Sequence, residues 1–281
     1  MIYPTCEHHE LPSSSCPIHY VTQGARGAPL IVFVHPAFSD HTCFAGQLDA
    51  FATDHRVLAL DMIGHGRSQP ADARASLSEM GNRIAEIVVR EGYQEAHLVG
   101  ISLGSLIIQD VAYRLPELVQ TLTVVGGYRI AGSNPELQRV QQWELLRRLP
   151  LMVFALDRFR RQLAADTVVQ PAARELFYQS ARSFTRRSFR AMSGLDAIMR
   201  STPQTHTHPL QIIVGAHERP LLQRETRAWH YAEPLSEYIV IADAGHCANM
   251  DQPVVFNEHV RAFIARARHV DTAFSATAGA A

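Results

Sequence analysis

Residues 100–104 read Gly100-Ile101-Ser102-Leu103-Gly104 and stand where a β-branched run, 97–102, gives way to a helical pattern beginning at Leu103. A serine held on so sharp a strand-to-helix turn needs small residues two positions to either side, because the backbone is crowded there. Its oxygen then stands clear at the N-terminus of a helix, whose N–H groups and positive dipole end favour developing negative charge. That is the setting of a nucleophile for acyl transfer, and such a nucleophile needs a base. The chain has 15 histidines, so a lone one carries no weight. His246 is singled out by Gly245 before it, by the strand-like run 237–243 ahead of that, and by the Asp251-x-Pro253 helix start after it. A histidine on a loop after a late strand can fold back over a serine, take its proton during attack and return it to the leaving group.

The elements that must position these residues follow from periodicity. Short apolar runs at 29–35, 55–61, 97–102, 122–127, 211–216 and 237–243 have the composition of buried parallel strands, and 16–22 alternates as an edge strand does. Between them, 45–54, 76–92, 103–118 and 253–267 carry apolar residues at helical spacing, the last opening on a proline suited to a first turn. Strands alternating with helices predict an α/β fold, a mainly parallel sheet with helices on both faces. The alternation breaks from 129 to 208, where only helical patterns occur. This interval is predicted to be a helical cap inserted before the strand 211–216, dividing the chain into a core over 1–128, the cap over 129–208, a second core part over 209–268 and a flexible tail over 269–281. The first ten or so residues are polar and are predicted to be loosely held.

The order of His35-Pro36-Ala37-Phe38, then Asp61-Met62-Ile63-Gly64-His65-Gly66-Arg67-Ser68, then the serine turn, a helical insertion, Gly215-Ala216-His217-Glu218-Arg219-Pro220 and finally Ala244-Gly245-His246 resembles the α/β-hydrolase superfamily from about residue 16 to 268. The resemblance implies an oxyanion hole built from the backbone N–H of Leu103 and one from the loop after the strand 29–35. Pro36 has no N–H to give, so that donor is Ala37, and the loop geometry is left open, a cis bond at Pro36 included. It also implies an acid after the strand 211–216. Glu218 occupies that position, where aspartate is more usual, and Asp243 is its rival. The segment after 122–127, the other position used for the acid in such proteins, begins with Tyr128 and Arg129 and has no carboxylate before Glu136. His65 is given a structural role.

The implied activity is that of a serine hydrolase acting on a carboxylic ester or thioester through an acyl-enzyme at Ser102. A carbon–carbon bond hydrolase with the same triad and a slow-turnover ligand receptor are the alternatives. Serine at 102 argues against the covalent ester step of dehalogenases and epoxide hydrolases. All 26 basic residues are arginine, so Schiff-base chemistry and a lysine-dependent phosphate loop are excluded. A formal net charge of -1 argues against nucleic acid as a partner. No cofactor and no metal are expected. His206-Thr207-His208 lacks a third ligand nearby, and Cys6, Cys16, Cys43 and Cys247 show neither zinc spacing nor a disulfide framework. The expected partner is a small-molecule ester, without a membrane span, and a homodimer is compatible with this. With no basic leader or apolar h-region visible, the expected location is cytoplasmic.

The predicted cap, 129–208, holds 13 Arg against 6 Asp and Glu. Pairs such as Arg147-Arg148, Arg160-Arg161 and Arg186-Arg187 read as solvated helix faces, inward arginines being the competing reading. Trp143, Leu146, Phe154, Phe159, Phe177 and Phe184 are expected to form cap core, a few of them lining the pocket.

Overall fold

The computed structural model describes residues 6–278 except 73, 133, 187 and 203, without the side chains at 138, 141, 142, 145, 190 and beyond 267. One sheet of eight strands organises the chain: β1 (Glu7–Leu11), β2 (Ile18–Gln23), β3 (Leu30–Val34), β4 (Arg56–Leu60), β5 (Ala96–Ile101), β6 (Val119–Val125), β7 (Leu210–Gly215) and β8 (Ser236–Ile241). Their order is β1-β2-β4-β3-β5-β6-β7-β8. The β1–β2 and β2–β4 pairs are antiparallel and the rest are parallel. This is the mainly parallel sheet, with helices on both faces, that the sequence predicts.

The five central strands are β-branched and leucine-rich because both of their faces are covered. Along β3, Leu30, Val32 and Val34 pack into one core, against helices α2 (Met80–Arg90) and α3 (Leu103–Arg114), while Ile31 and Phe33 pack into the other, against α1 (Ala45–Phe51). With both faces buried the strand reads as an unbroken apolar run. Truncating a residue such as Phe33 to alanine would cost about 3–5 kcal/mol.

Between β6 and β7 the chain forms α4 (Pro135–Phe154), α5 (Leu156–Thr167), α6 (Pro171–Ser180), α7 (Ser188–Ala191) and α8 (Leu195–Ile198). Phe159, Phe177 and Phe184 are buried there as expected, but Trp143, Leu146 and Phe154 are 68%, 62% and 84% exposed. The apolar residues of α4 do not gather into one stripe, so a single docked face buries Leu137 and Met152 and leaves the others in solvent. Arg187 of the expected Arg186-Arg187 pair lies outside the described residues.

Two other expectations need correction, and one helix adds to them. Residues 7–11 form an ordered edge strand, although they lack apolar alternation. It is fixed by polar contacts instead: His9 Nε2 lies 2.7 Å from Thr22 Oγ1, and Arg56 binds Glu7 at 3.0 Å. A helix unmarked in the sequence reading, α9 (Pro220–Ala232), joins β7 to β8. After the short α10 (Ala248–Asp251), the last helix, α11 (Pro253–Ala278), continues past residue 268, since adding turns to a formed helix costs far less than starting one. Residues 279–281 of the expected tail lie outside the described residues. All four cysteines are free thiols. Among the described residues no helix is long and apolar enough to cross a membrane.

Candidate active site

The strand order dictates where a site can form. β4 lies to one side of β3 and β5 to the other, so the chain reverses its winding direction at β3, and the loops leaving the carboxyl ends of β3 and β5 part there to open a crevice. Ala37 follows β3 and Ser102 follows β5. Glu218 follows β7 and His246 follows its neighbour β8. All five sequence-predicted residues, Ser102, His246, Glu218, Ala37 and Leu103, line one cavity of about 400 Å³.

Ser102 has φ 51° and ψ −112°, a left-sided conformation that L-residues rarely adopt. The turn is held on both sides. Ser102 N–H donates to the Val125 carbonyl at 2.7 Å, and the Ser105 hydroxyl donates to the Ser102 carbonyl at 2.5 Å. The flanking glycines are obligatory: a Cβ on Gly100 would lie 2.5 Å from the Gly104 oxygen, and one on Gly104 would lie 2.1 Å from the Val34 oxygen. Leu103 is the first residue of α3, so its N–H is among the first-turn donors that the helix leaves free.

His246 Nδ1–H donates to Glu218 Oε2 at 2.5 Å, leaving Nε2 for the cavity side. Glu218 is nearly buried, and its other oxygen accepts the Arg219 N–H at 2.8 Å. Burial pushes the carboxyl up, but the His246 charge and hydrogen bond, with the Arg219 N–H, outweigh it and hold Glu218 below the usual carboxylate range. Burial likewise pushes His246 down, and the Glu218 charge and hydrogen bond overcome it, so the imidazole sits above its ordinary value. Asp243 is exposed, its backbone carbonyl accepting from the Gln170 and Gln252 side chains, and among the described residues the carboxylate that His246 bonds is Glu218. Ser102 Oγ has no hydrogen-bond partner among the described residues; such bonds often tighten only with substrate present.

The loop after β3 closes without a cis bond, through Phe38 at φ 67°. His35 anchors it: Nδ1–H donates to the Pro36 carbonyl at 2.8 Å and Nε2 accepts the Met62 N–H at 2.9 Å. Phe38 then packs edge-on against Phe159 of α5 and Phe184 of the connection before α7, with centroids 5.3 and 4.9 Å away. His65 is buried in a structural setting, its Nδ1–H donating to the Ile63 carbonyl, and burial lowers it to about 3.

Residues 31–259 match the model of the Alpha/beta hydrolase family. The chain belongs to that family. Among curated relatives, it is 27% identical over 85% of its length to the "Dihydrolipoyllysine-residue acetyltransferase component of acetoin cleaving system" of Cupriavidus necator, of which it spans 64%. It is 26% identical over 88% of its length to the "2-hydroxy-6-oxononadienedioate/2-hydroxy-6-oxononatrienedioate hydrolase" of a Pseudomonas species, covering 92% of that protein. Among solved structures, an esterase from Thermogutta terrifontis superposes with a TM-score of 0.77 at 18% identity, covering 93% of this chain and 99% of the other. As an α/β hydrolase the chain has the fold that these neighbours share.

Sequence reasoning missed three contributors. Asp251 accepts the Gly245 N–H at 2.8 Å and the Gln170 N–H at 2.8 Å, tying the loop before His246 to the inserted helices. Ser105, whose hydroxyl holds the Ser102 carbonyl at 2.5 Å, is the second. The one arginine of the insertion that lines the cavity among the described residues, Arg148, is neutralised by Asp166 at 2.8 Å and Glu144 at 3.4 Å, and Glu144 also pairs with Arg147 at 2.9 Å and is approached by Arg219 of the core at 3.8 Å. The Asp251-x-Pro253 pattern was the available signal for the first. The others require the fold. His206 is a buried ring in the connection before β7, stacked on Tyr113 at 4.3 Å.

Proposed function

We propose that this α/β hydrolase cleaves carboxylic esters, thioesters included, through an acyl-enzyme at Ser102. The observation that carries the reading is the 2.5 Å contact from His246 Nδ1 to Glu218, in the cavity that also holds the strained Ser102. In the proposed cycle His246 Nε2 takes the Ser102 proton as Oγ attacks the carbonyl carbon. The N–H groups of Ala37 and Leu103 receive the oxyanion. The tetrahedral adduct collapses, the alcohol or thiol leaves with the proton from His246, and water repeats the sequence to free the acid and Ser102. Glu218 holds the imidazole in the tautomer this needs.

The walls narrow the substrate. Phe38, Leu106, Leu137, Met152, Phe159 and Leu222 line the cavity, which favours an apolar acyl or alkyl group of small to medium size. Because Arg148 is committed to Asp166 and the cavity wall also carries Glu144 and Glu218, a neutral substrate fits better than a dianion. The same fact weighs against the carbon–carbon hydrolase reading suggested by the dioate hydrolase relative, since a dicarboxylate needs free cations.

A p-nitrophenyl ester series from acetate to laurate, run on wild type and Ser102→Ala, tests this. Turnover that peaks at one chain length and disappears in the variant is the expected result. No turnover on any ester, with Ser102 also inert to a fluorophosphonate probe, would overturn it.

A further inference from the structure

Exposed apolar surface on this molecule is concentrated on one helix of the insertion. Of the twelve large apolar side chains that stand exposed among the described residues, six lie on α4. At about 100° per residue, Trp143, Leu146, Leu149, Val153 and Phe154 fall within an arc of roughly 140° on its outward side. Leu137, Glu144, Arg148 and Met152 fall on the opposite side, and all four line the Ser102 cavity. The sixth exposed residue, Val140, stands at the boundary and lines the cavity too. The helix is therefore apolar on two sides, one turned to the cavity and one to solvent. An exposed apolar patch of this kind marks a surface that another body covers.

The charge of the molecule is divided along the same line. Residues 129–208 hold 13 Arg and 6 Asp or Glu, a net of +7 (13 minus 6), and the rest of the chain holds 13 Arg and 21 Asp or Glu, a net of −8 (13 minus 21). Around the outward side of α4 the arginines are exposed. Arg139 stands at its start, Arg147 borders it, Arg158 follows it, and Arg186 reaches its end by donating from Nε to the Val153 carbonyl at 3.0 Å. Carboxylates there are shared among several cations: Glu144 alone takes Arg147, Arg148 and Arg219.

Aromatic and aliphatic side chains bordered by arginines are the pattern of a helix that lies in a membrane interface, its apolar side among acyl chains and its guanidinium groups at phosphate level. We propose that α4 docks the protein on an anionic membrane surface through Trp143, Leu146, Leu149, Val153 and Phe154, with the surrounding arginines meeting lipid phosphates. The divided charge turns the insertion toward such a surface and the rest of the molecule away from it. A second copy of the chain is a poorer occupant, because joining two α4 faces would bring together two segments of net +7, and like charges oppose that pairing. The docking does not depend on the chemistry at Ser102.

Sedimentation of the full chain with phosphatidylglycerol vesicles or phosphatidylcholine vesicles tests this. Trp143 is a built-in reporter: the other tryptophan, Trp229, is already buried with its N–H on Glu233 at 3.0 Å, so a blue shift of emission on binding comes from Trp143. The chain should bind the anionic vesicles, with that shift, and added salt should weaken binding about tenfold or more. Arg139→Gln should weaken it about fivefold, the effect of one cation at an anionic surface. Leu146→Gln combined with Phe154→Gln should weaken it about a hundredfold or more. Both side chains are exposed, so this variant keeps its fold, which circular dichroism checks. Val254→Gln, an exposed apolar position on α11, should bind as wild type does. No binding to phosphatidylglycerol vesicles overturns the proposal, as does equal binding to phosphatidylcholine or binding that survives in the folded double variant. Self-association abolished by the same two substitutions, without vesicle binding, overturns it in favour of a second copy.

Discussion

The Asp251 carboxylate accepts the Gly245 N–H at 2.8 Å, one residue before His246, and also holds the N–H groups of Val169 and Gln170 at 2.9 and 2.8 Å in the connection between α5 and α6. A single side chain therefore fixes both the loop that carries the proposed base and the inserted helices that wall the cavity. No apolar residue could do this, because the groups to be joined are backbone donors that must be satisfied once buried.

Asp251→Ala would leave three donors without an acceptor, and bonds to a charged group contribute about 1.5–3 kcal/mol each. The expected result is a clear drop in melting temperature together with a fall in kcat of about tenfold or more. Asn, which keeps one acceptor oxygen, should fall between. Thermal melts and steady-state kinetics on the three proteins check this, and unchanged kcat in a folded Ala variant would refute it.

The pair His246 and Glu218 sets a pH dependence. His246 accepts a proton only when neutral, and Glu218 raises it above its ordinary value. Thus kcat/KM should rise with pH about a midpoint above that of free imidazole. Glu218→Gln removes the attraction and leaves burial, so the midpoint should move down, while kcat falls by about 10³–10⁴, the scale known for loss of a triad acid. Stability follows the same pair. The raised His246 contributes fully below its unfolded value and loses that contribution as pH climbs through its folded value. The depressed Glu218 contributes above its unfolded value and loses this as pH falls through its folded one. The melting-temperature gap between wild type and Glu218→Gln should therefore be widest between the carboxylate and imidazole ranges.

Gly127 is packed onto the serine turn. A Cβ there would lie 1.7 Å from Ser105 Oγ, the group that bonds the Ser102 carbonyl. Gly127→Ala should destabilise by about 1–3 kcal/mol through overpacking. The cost should shrink in a Ser105→Gly background, and a double-mutant cycle measured by denaturant unfolding checks the coupling. Additive effects would mean that the two sites do not touch.

Asp166 neutralises Arg148 at the cavity wall. Asp166→Ala should loosen that guanidinium, leaving Glu144 as its remaining carboxylate partner. The ratio of kcat/KM for a half-ester of a dicarboxylic acid over a neutral ester of equal length should rise about tenfold, the scale of one charge-assisted contact. A ratio that does not move would show that Arg148 does not reach the substrate.

The sequence exposed the parts of this molecule whose causes are local. The central strands were legible because burial on both faces writes an apolar run, and Ser102 because its turn demands Gly100 and Gly104. His246 and Glu218 were legible as positions relative to strands. β1 was not, since Glu7 and His9 hold it through side-chain bonds to Arg56 and Thr22 that pattern does not encode. The burial of α4 was misread for a related reason: composition says how apolar a helix is, and only docking says which of Leu137, Trp143 or Phe154 finds a partner.

The placement of the three proposed catalytic groups on the ends of β5, β7 and β8 also has a temporal consequence. During synthesis the serine turn is complete more than a hundred residues before Glu218 and His246 exist, and β7 and β8 can add to the sheet only after the long insertion between β6 and β7 has been threaded past. The nascent chain thus carries a serine without its base until the final third of the protein has docked. Under the proposed mechanism, hydrolytic competence becomes a readout of finished folding.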